Sequence, residues 1–227
     1  MEIRYATISK VGRRHNNEDA FKVIDMPESN RFVGIVCDGM SGHSFGEIAS
    51  ETVCNTISDF WKMHISMPDC DSKVKLACKK ASCAIAKKTF ELHHAEMGTT
   101  MVMLSIENDM ATIAHIGDSR CYVQRPGVGL LYQTKDHIRL GFGWEIVAKC
   151  FFSYRPEVAV PDIRQIKLQT GDRVLLCSDG LYKSMAPDIL RTRMMDDKPL
   201  EEILDVYDFL CKKQDDDNYT AIVMECV

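Results

Sequence analysis

Four aspartates stand at the margins of apolar, strand-like runs, and each is followed by Gly, Ser or Asn: Val36-Cys37-Asp38-Gly39, Ile116-Gly117-Asp118-Ser119, Cys177-Ser178-Asp179-Gly180 and Asp217-Asn218. An acidic pair, Glu18-Asp19, sits where an N-terminal strand pattern begins. A carboxylate at the mouth of a buried strand is costly without a cationic partner. Several together repel one another strongly. A divalent cation resolves both problems. Carboxylate and carbonyl oxygens, with no His or Cys in the set, favour Mg²⁺ or Mn²⁺ over zinc. Two such ions sharing one carboxylate can activate a water and stabilise an in-line displacement at phosphorus. Taken singly, an Asp-Gly pair is an ordinary turn, Asp118-Ser119 a hairpin and Asp217-Asn218 an Asx turn. Their shared position beside β-rich runs is what separates the set from independent turns.

The elements that must position these residues are short. β-Branched and aromatic residues predict strands over Tyr5 to Ser9, Ala20 to Ile24 and Phe32 to Cys37. Helices are predicted over Phe45 to Met63, where Ile48, Val53, Ile57 and Phe60 approach a 3.6 period and Ser44 offers a cap, and over Lys73 to Leu92. Strands at meander spacing follow over 99–106, 111–116, 120–124 and 130–133. The stretch 136–155 has no clear period. Strands 162–168 and 173–177, helices 188–195 and 200–212, and a last strand 221–226 complete the pattern. Strands in groups with helices in pairs predict an α+β domain with antiparallel sheets covered by helices, not a βαβ alternation.

At 227 residues, 45% apolar and 27% charged, the chain is expected to form a single domain over 1–227. A net charge of −5 and a pI near 5.8 argue against nucleic-acid binding. No segment has the apolar length of a signal peptide or membrane helix, so no membrane partner and a cytoplasmic location are expected. The ten cysteines are scattered, without C-x-x-C spacing, and read as reduced small hydrophobes.

Seven segments, in order, resemble the signatures of the metal-dependent serine/threonine protein phosphatases of the type 2C (PPM) family. Arg14-His15-Asn16-Asn17-Glu18-Asp19-Ala20 resembles R-x-x-N-E-D-A, and Asp38-Gly39-Met40-Ser41-Gly42-His43 is similar to D-G-M-G-G-H. Gly98-Thr99-Thr100, Gly117-Asp118-Ser119-Arg120 and Thr134-Lys135-Asp136-His137 match G-T-T, G-D-S-R and T-x-D-H. Ser178-Asp179-Gly180-Leu181 and Asp217-Asn218-Tyr219-Thr220 match S-D-G-L and D-N-x-T. Each motif alone is weak. Seven in family order, from Arg14 to the C-terminus, are specific.

The resemblance implies two antiparallel sheets packed as a sandwich and flanked on both sides by helices, a four-layer α-β-β-α fold. It implies a phosphatase hydrolysing phosphoserine and phosphothreonine esters with a metal-bridged water and two Mn²⁺ or Mg²⁺ ions. Asp38 would bridge the ions, the Gly39 carbonyl would serve one, and Asp179 and Asp217 the other. Glu18 and Asp19 would act through metal-bound waters, Arg14 would hold the phosphate, and Asn218 would orient its neighbours. Asp118, with Asp179, would take a third, weaker ion. Phosphorylated proteins are the implied partners, with a cognate serine/threonine kinase as opponent, and the chain is expected to act as a monomer.

Departures from the family pattern are also legible. Ser41 replaces a Gly, and Met40 stands where some members carry a His that protonates the leaving group, leaving that role to water or to His43. The family's flap, about 138–161, is expected to be shortened, giving an open cleft. Two other functions remain in view: a weak or inactive pseudophosphatase that binds phosphoproteins, and a hydrolase of small phosphate esters.

Overall fold

The computed structural model describes residues 1–40, 45–141, 143–155, 157, 159–214 and 216–227. Its strands are β1 (Ile3–Lys10), β2 (Asp19–Met26), β3 (Arg31–Asp38), β4 (Gly98–Thr99), β5 (Met101–Glu107), β6 (Met110–Ile116), β7 (Arg120–Arg125), β8 (Gly129–Gln133), β9 (Ile138–Gly141), β10 (Trp144–Val147), β11 (Phe151–Phe152), β12 (Asp162–Lys167), β13 (Arg173–Cys177) and β14 (Tyr219–Cys226). Its helices are α1 (Gly46–Met63), α2 (Asp71–Glu91), α3 (Asp179–Tyr182), α4 (Pro187–Met194) and α5 (Leu200–Gln214).

The strands form two antiparallel five-stranded sheets, ordered β1-β14-β13-β7-β8 and β12-β6-β5-β3-β2. Side-chain alternation explains the layering. Val36, Val102, Leu104 and Ile113 of one sheet meet Val123, Val174, Leu176 and Ile222 of the other. The opposite faces point outward to helices. Val33, Ile35, Met101 and Met103 pack under Val53, Ile57 and Trp61 of α1 and Val74 and Ile85 of α2. Leu175, Cys177, Ala221 and Val223 pack under Leu190 of α4 and Ile203, Leu204 and Tyr207 of α5. Central strands buried on both faces therefore read as continuous apolar runs, as Phe32 to Cys37 does. Edge strand β12, Asp-Ile-Arg-Gln-Ile-Lys, alternates and carries charge, which discourages further pairing. The fold is the four-layer sandwich anticipated above.

The stretch without a clear period becomes a hairpin, β9 with β10, followed by β11, which pairs with β4 beside the Gly98-Thr99-Thr100 segment. No α-helix occurs among the described residues of 138–161. Helix α1 starts after Phe45, whose φ of 72° turns the chain into it. The expected cap Ser44, with Ser41 and His43, lies outside the described residues. Eight of the ten cysteines are buried, and Cys70 and Cys83 are the two that are not. No helix among the described residues is long and apolar enough to cross a membrane.

Candidate metal centre

The acidic residues converge at one end of the sandwich, where loops of both sheets meet. Strands β2 and β3 pair in a register that sets Asp19 directly opposite Asp38. Like charges directly opposite across a ladder are unfavourable, so strand pairing alone creates a demand for a cation. The backbone of Asp38 is fixed by the Thr99-Thr100 pair. Thr100 N–H and Thr99 Oγ1 donate to the Asp38 carbonyl at 2.9 and 2.8 Å, and Asp38 N–H reaches Thr100 Oγ1 at 3.2 Å. Thr100 Oγ1 in turn lies 2.7 Å from Ser119 Oγ, tying the turn that carries Asp118 to the end of β3.

The second sheet reaches across. Ser178 Oγ donates to Asp19 Oδ2 at 2.7 Å and accepts from Thr220 N–H at 2.9 Å. Asn218 Oδ1 accepts from Glu18 N–H at 2.8 Å, while its Nδ2 donates to the Val11 and Asn16 carbonyls at 2.7 and 2.9 Å. Asn218 thus uses its side chain to pin the β1–β2 loop, with one further backbone bond to Asp217 Oδ1 at 2.9 Å.

Two glycines permit this closeness. A Cβ on Gly39 would lie 2.4 Å from the Gly46 carbonyl oxygen at the start of α1, and one on Gly180 would lie 2.0 Å from the Asn218 carbonyl oxygen. Both obstacles are backbone, which cannot swing aside. Gly180→Ala is therefore expected to cost about 2–3 kcal/mol and lower the melting temperature by roughly 5–10 °C. An unchanged thermal unfolding curve would show that the loops bearing Asp179 and Asn218 are not in contact.

Burial governs the electrostatics. It pushes Asp19 up to about 7, against the hydrogen bonds of Ser178 and Thr220 and with the repulsion of Asp179 and Asp217. It pushes Asp38 well above the usual carboxylate range, helped by the charges of Asp19, Asp179 and Asp118 and by a hydrogen bond shared with Asp179. Asp118 rises to about 6, by burial and by Asp179, with the Lys183 ammonium pulling it back. Buried carboxylates that hold one another protonated, with oxygen donors alone, fit hard divalent cations such as Mn²⁺ or Mg²⁺.

Around this cluster, Arg14 is exposed and donates through Nη2 to Asp217 Oδ2 at 2.9 Å and through Nε to the Asp216 carbonyl at 3.1 Å. Glu18 lies against the first turn of α1, its Oε2 2.6 Å from where a Gly46 Cβ would stand. The structure therefore brings together Arg14, Glu18, Asp19, Asp38, Gly39, Asp118, Asp179, Asp217 and Asn218. His43 lies outside the described residues. Met40, which has no titratable proton, donates its N–H to the Gly98 carbonyl at 3.0 Å.

Sequence reasoning gave no role to three charged residues here. Lys183 Nζ lies 2.7 Å from Asp179 Oδ2 and 3.8 Å from Asp118 Oδ2. Its i,i+4 spacing from Asp179 was the available signal. Asp136 holds Arg120 through two bonds of 2.9 and 2.7 Å, and that guanidinium stacks 3.6 Å from the Tyr182 ring centroid. The pair locks the Thr134-to-His137 segment onto β7.

A separate trio, His115, His137 and Asp162, brings one donor atom from each within 4.8 Å. Lys149 Nζ already lies 2.8 Å from Asp162 Oδ1 and 3.4 Å from His137 Nε2. Gly117 N–H donates to His137 Nδ1 at 3.1 Å, which leaves the ring proton on Nε2, 3.2 Å from Asp162 Oδ2. Both His137 nitrogens are engaged and Lys149 already pairs with Asp162, so the trio clamps the Gly117-Asp118 turn. His115 reaches the Lys135 carbonyl through Nε2 at 2.9 Å and keeps a buried Nδ1 without a hydrogen-bond partner among the described residues.

A sequence model of the family described as protein phosphatase 2C matches residues 9–215. The serine/threonine phosphatase stp of Listeria monocytogenes serotype 4b is 29% identical, over 93% of this chain and 91% of that protein. The serine/threonine protein phosphatase PstP of Mycobacterium tuberculosis is 28% identical, over 99% of this chain but 45% of that protein. Among solved structures, the catalytic domain of PstP in complex with two manganese ions superposes with a TM-score of 0.79 at 26% identity, covering 98% of this chain and 97% of that one. A bacterial serine phosphatase shares the fold at a TM-score of 0.88 and 23% identity, covering 100% and 98%. With the family's motifs in order, its sandwich and its acidic end, the chain belongs to the protein phosphatase 2C family of phosphoprotein phosphatases.

Proposed function

We propose that the chain hydrolyses phosphoserine and phosphothreonine esters of proteins, using two Mn²⁺ or Mg²⁺ ions held by Asp38, the Gly39 carbonyl, Asp179 and Asp217. The observation that carries this reading is the opposed pair of buried Asp19 and half-buried Asp38, joined by Asp179 from the other sheet. Such a pair is stable as charged groups only around cations. The ions would supply Lewis acidity at the phosphoryl oxygens and a water acidified enough to act as nucleophile at neutral pH. Glu18 and Asp19 would orient water around them. Ser178 holds Asp19 in place, and Asn218 holds the backbone of Glu18. The Arg14 guanidinium has five N–H donors and spends two on Asp217 and Asp216, so others remain for a phosphate oxygen.

The same reading takes the chain as one phosphatase domain, because the two sheets share one inner core, with the family's flap reduced to the β9–β10 hairpin. It also takes a serine/threonine kinase as the opposing activity and a monomer as the working form. The test is phosphate release from a phosphothreonine peptide in millimolar Mn²⁺ and after chelation. Release that requires the metal is expected. A protein that stays inert in both Mn²⁺ and Mg²⁺, yet binds the peptide, would be a phosphoprotein-binding pseudophosphatase. Faster turnover of small aryl esters than of any phosphopeptide would favour a small-ester hydrolase.

A further inference from the structure

Asp118 and Asp179 are the two carboxylates that the family resemblance assigns to a third, weaker cation. In this chain they already share one. Lys183 caps the C-terminus of α3, four residues after Asp179, and its Nζ reaches Asp179 Oδ2 at 2.7 Å and Asp118 Oδ2 at 3.8 Å. Both acids are fixed before the lysine arrives. Asp179 begins α3 straight after β13, and Asp118 sits on the turn held by the Thr100–Ser119 hydroxyl contact and the Gly117–His137 bond. Asp118 is nearly enclosed, with a side-chain exposure of 9%, whereas Lys183, at 49%, approaches from the solvent side. The Lys183 ammonium lies 5.9 Å from the ring centroid of Tyr182, which is itself stacked by the Arg120 guanidinium, so the ammonium stands over an ordered base.

We propose that Lys183 is the resident cation of the Asp118–Asp179 pair, so that this enzyme holds two metal ions and not three. The inference rests on the two-ion reading of the preceding subsection. A tethered ammonium acts at an effective concentration in the millimolar range or above. A weakly held divalent ion would have to displace it, break the Asp179 ion pair and remain beside a positive charge at short range. Asp179 would still serve the two-ion centre through its other carboxylate oxygen, Oδ1.

The experiment counts bound Mn²⁺ by electron paramagnetic resonance of the free ion during titration into the millimolar range, for wild type, Lys183→Met, Lys183→Arg and the double variant Lys183→Met/Asp118→Ala. Two ions are expected for wild type and Lys183→Arg, three for Lys183→Met, and two again for the double variant. Lys183→Gln repeats the Lys183→Met measurement with a polar side chain, should the methionine disturb folding. Three ions in wild type, or two in both neutral Lys183 variants, would overturn the proposal while leaving the two-ion centre intact. No bound ion in wild type would instead overturn the two-ion reading, and the Lys183 assignment with it.

Discussion

Asp38→Asn is expected to abolish phosphatase activity while raising the melting temperature of the metal-free protein. The two effects share one cause. Asp38 is half-buried at the end of β3 beside Asp19, Asp179 and Asp118, and in the absence of metal its charge is opposed by desolvation and by all three. An amide of the same shape carries no charge, so the ladder position opposite Asp19 becomes neutral and the metal-free fold is relieved. The same substitution removes the one carboxylate assigned to both ions. Loss of several kcal/mol of transition-state stabilisation, at about 1.4 kcal/mol per factor of ten, gives a decrease of about a thousandfold or more in kcat. The measurements are phosphate release from a phosphothreonine peptide in saturating Mn²⁺ and thermal unfolding in chelator. A variant with a tenth of wild-type activity, or one whose metal-free melting temperature falls, would remove Asp38 from the centre of the site.

That opposed pair also marks how far the sequence alone could be read. The strand margins were visible because Phe32 to Cys37 and Val174 to Cys177 are continuous apolar runs with an acid one or two residues beyond, and buried central strands must look like that. The convergence of Asp38, Asp179 and Asp217 was implied by the resemblance, and the backbone bonds of Thr100 and Asn218 show how it is built. Other features depend on contacts between distant segments that no local period encodes. Helix α3 is one turn long, too short to announce itself by periodicity. The β9–β10 hairpin has too few residues for alternation to be distinguished from loop, and it leaves Leu140 exposed, so the usual burial signal is missing. Arg120 and Asp136 both look like surface charges in the sequence, yet they form a two-point bridge under Tyr182. The stacked rings of His115 and His137, 4.5 Å apart, come from two segments that only the sheet brings side by side.

Metal should matter more to stability as pH rises, and the sign follows from the carboxylates. In the unfolded chain aspartates titrate near 4. In the metal-free fold Asp118 titrates near 6, Asp19 near 7, and Asp38 is raised as well. Between about pH 4 and 7 the folded protein therefore retains protons that the unfolded chain has released. Stability from these groups is fully present below about pH 4 and is lost as pH climbs through 6 and 7. Mn²⁺ binding requires the ionised carboxylates, so it releases those protons and its affinity grows over the same window. His115 and His137, whose titrations burial lowers, act in the opposite direction, favouring the fold as pH rises through about 6.5. They lie in the clamp outside the proposed ion ligands, so subtracting the curve in chelator from the curve in Mn²⁺ cancels most of their contribution. With two sites near saturation, the Mn²⁺-induced rise in melting temperature is expected to be about 10 °C or more at pH 7.5 and no more than a few degrees at pH 5. Differential scanning calorimetry across that range, with and without chelator, measures it directly. An equal rise at both pH values would mean that the ions bind carboxylates of ordinary acidity, and the opposed pair of Asp19 and Asp38 would no longer be their seat.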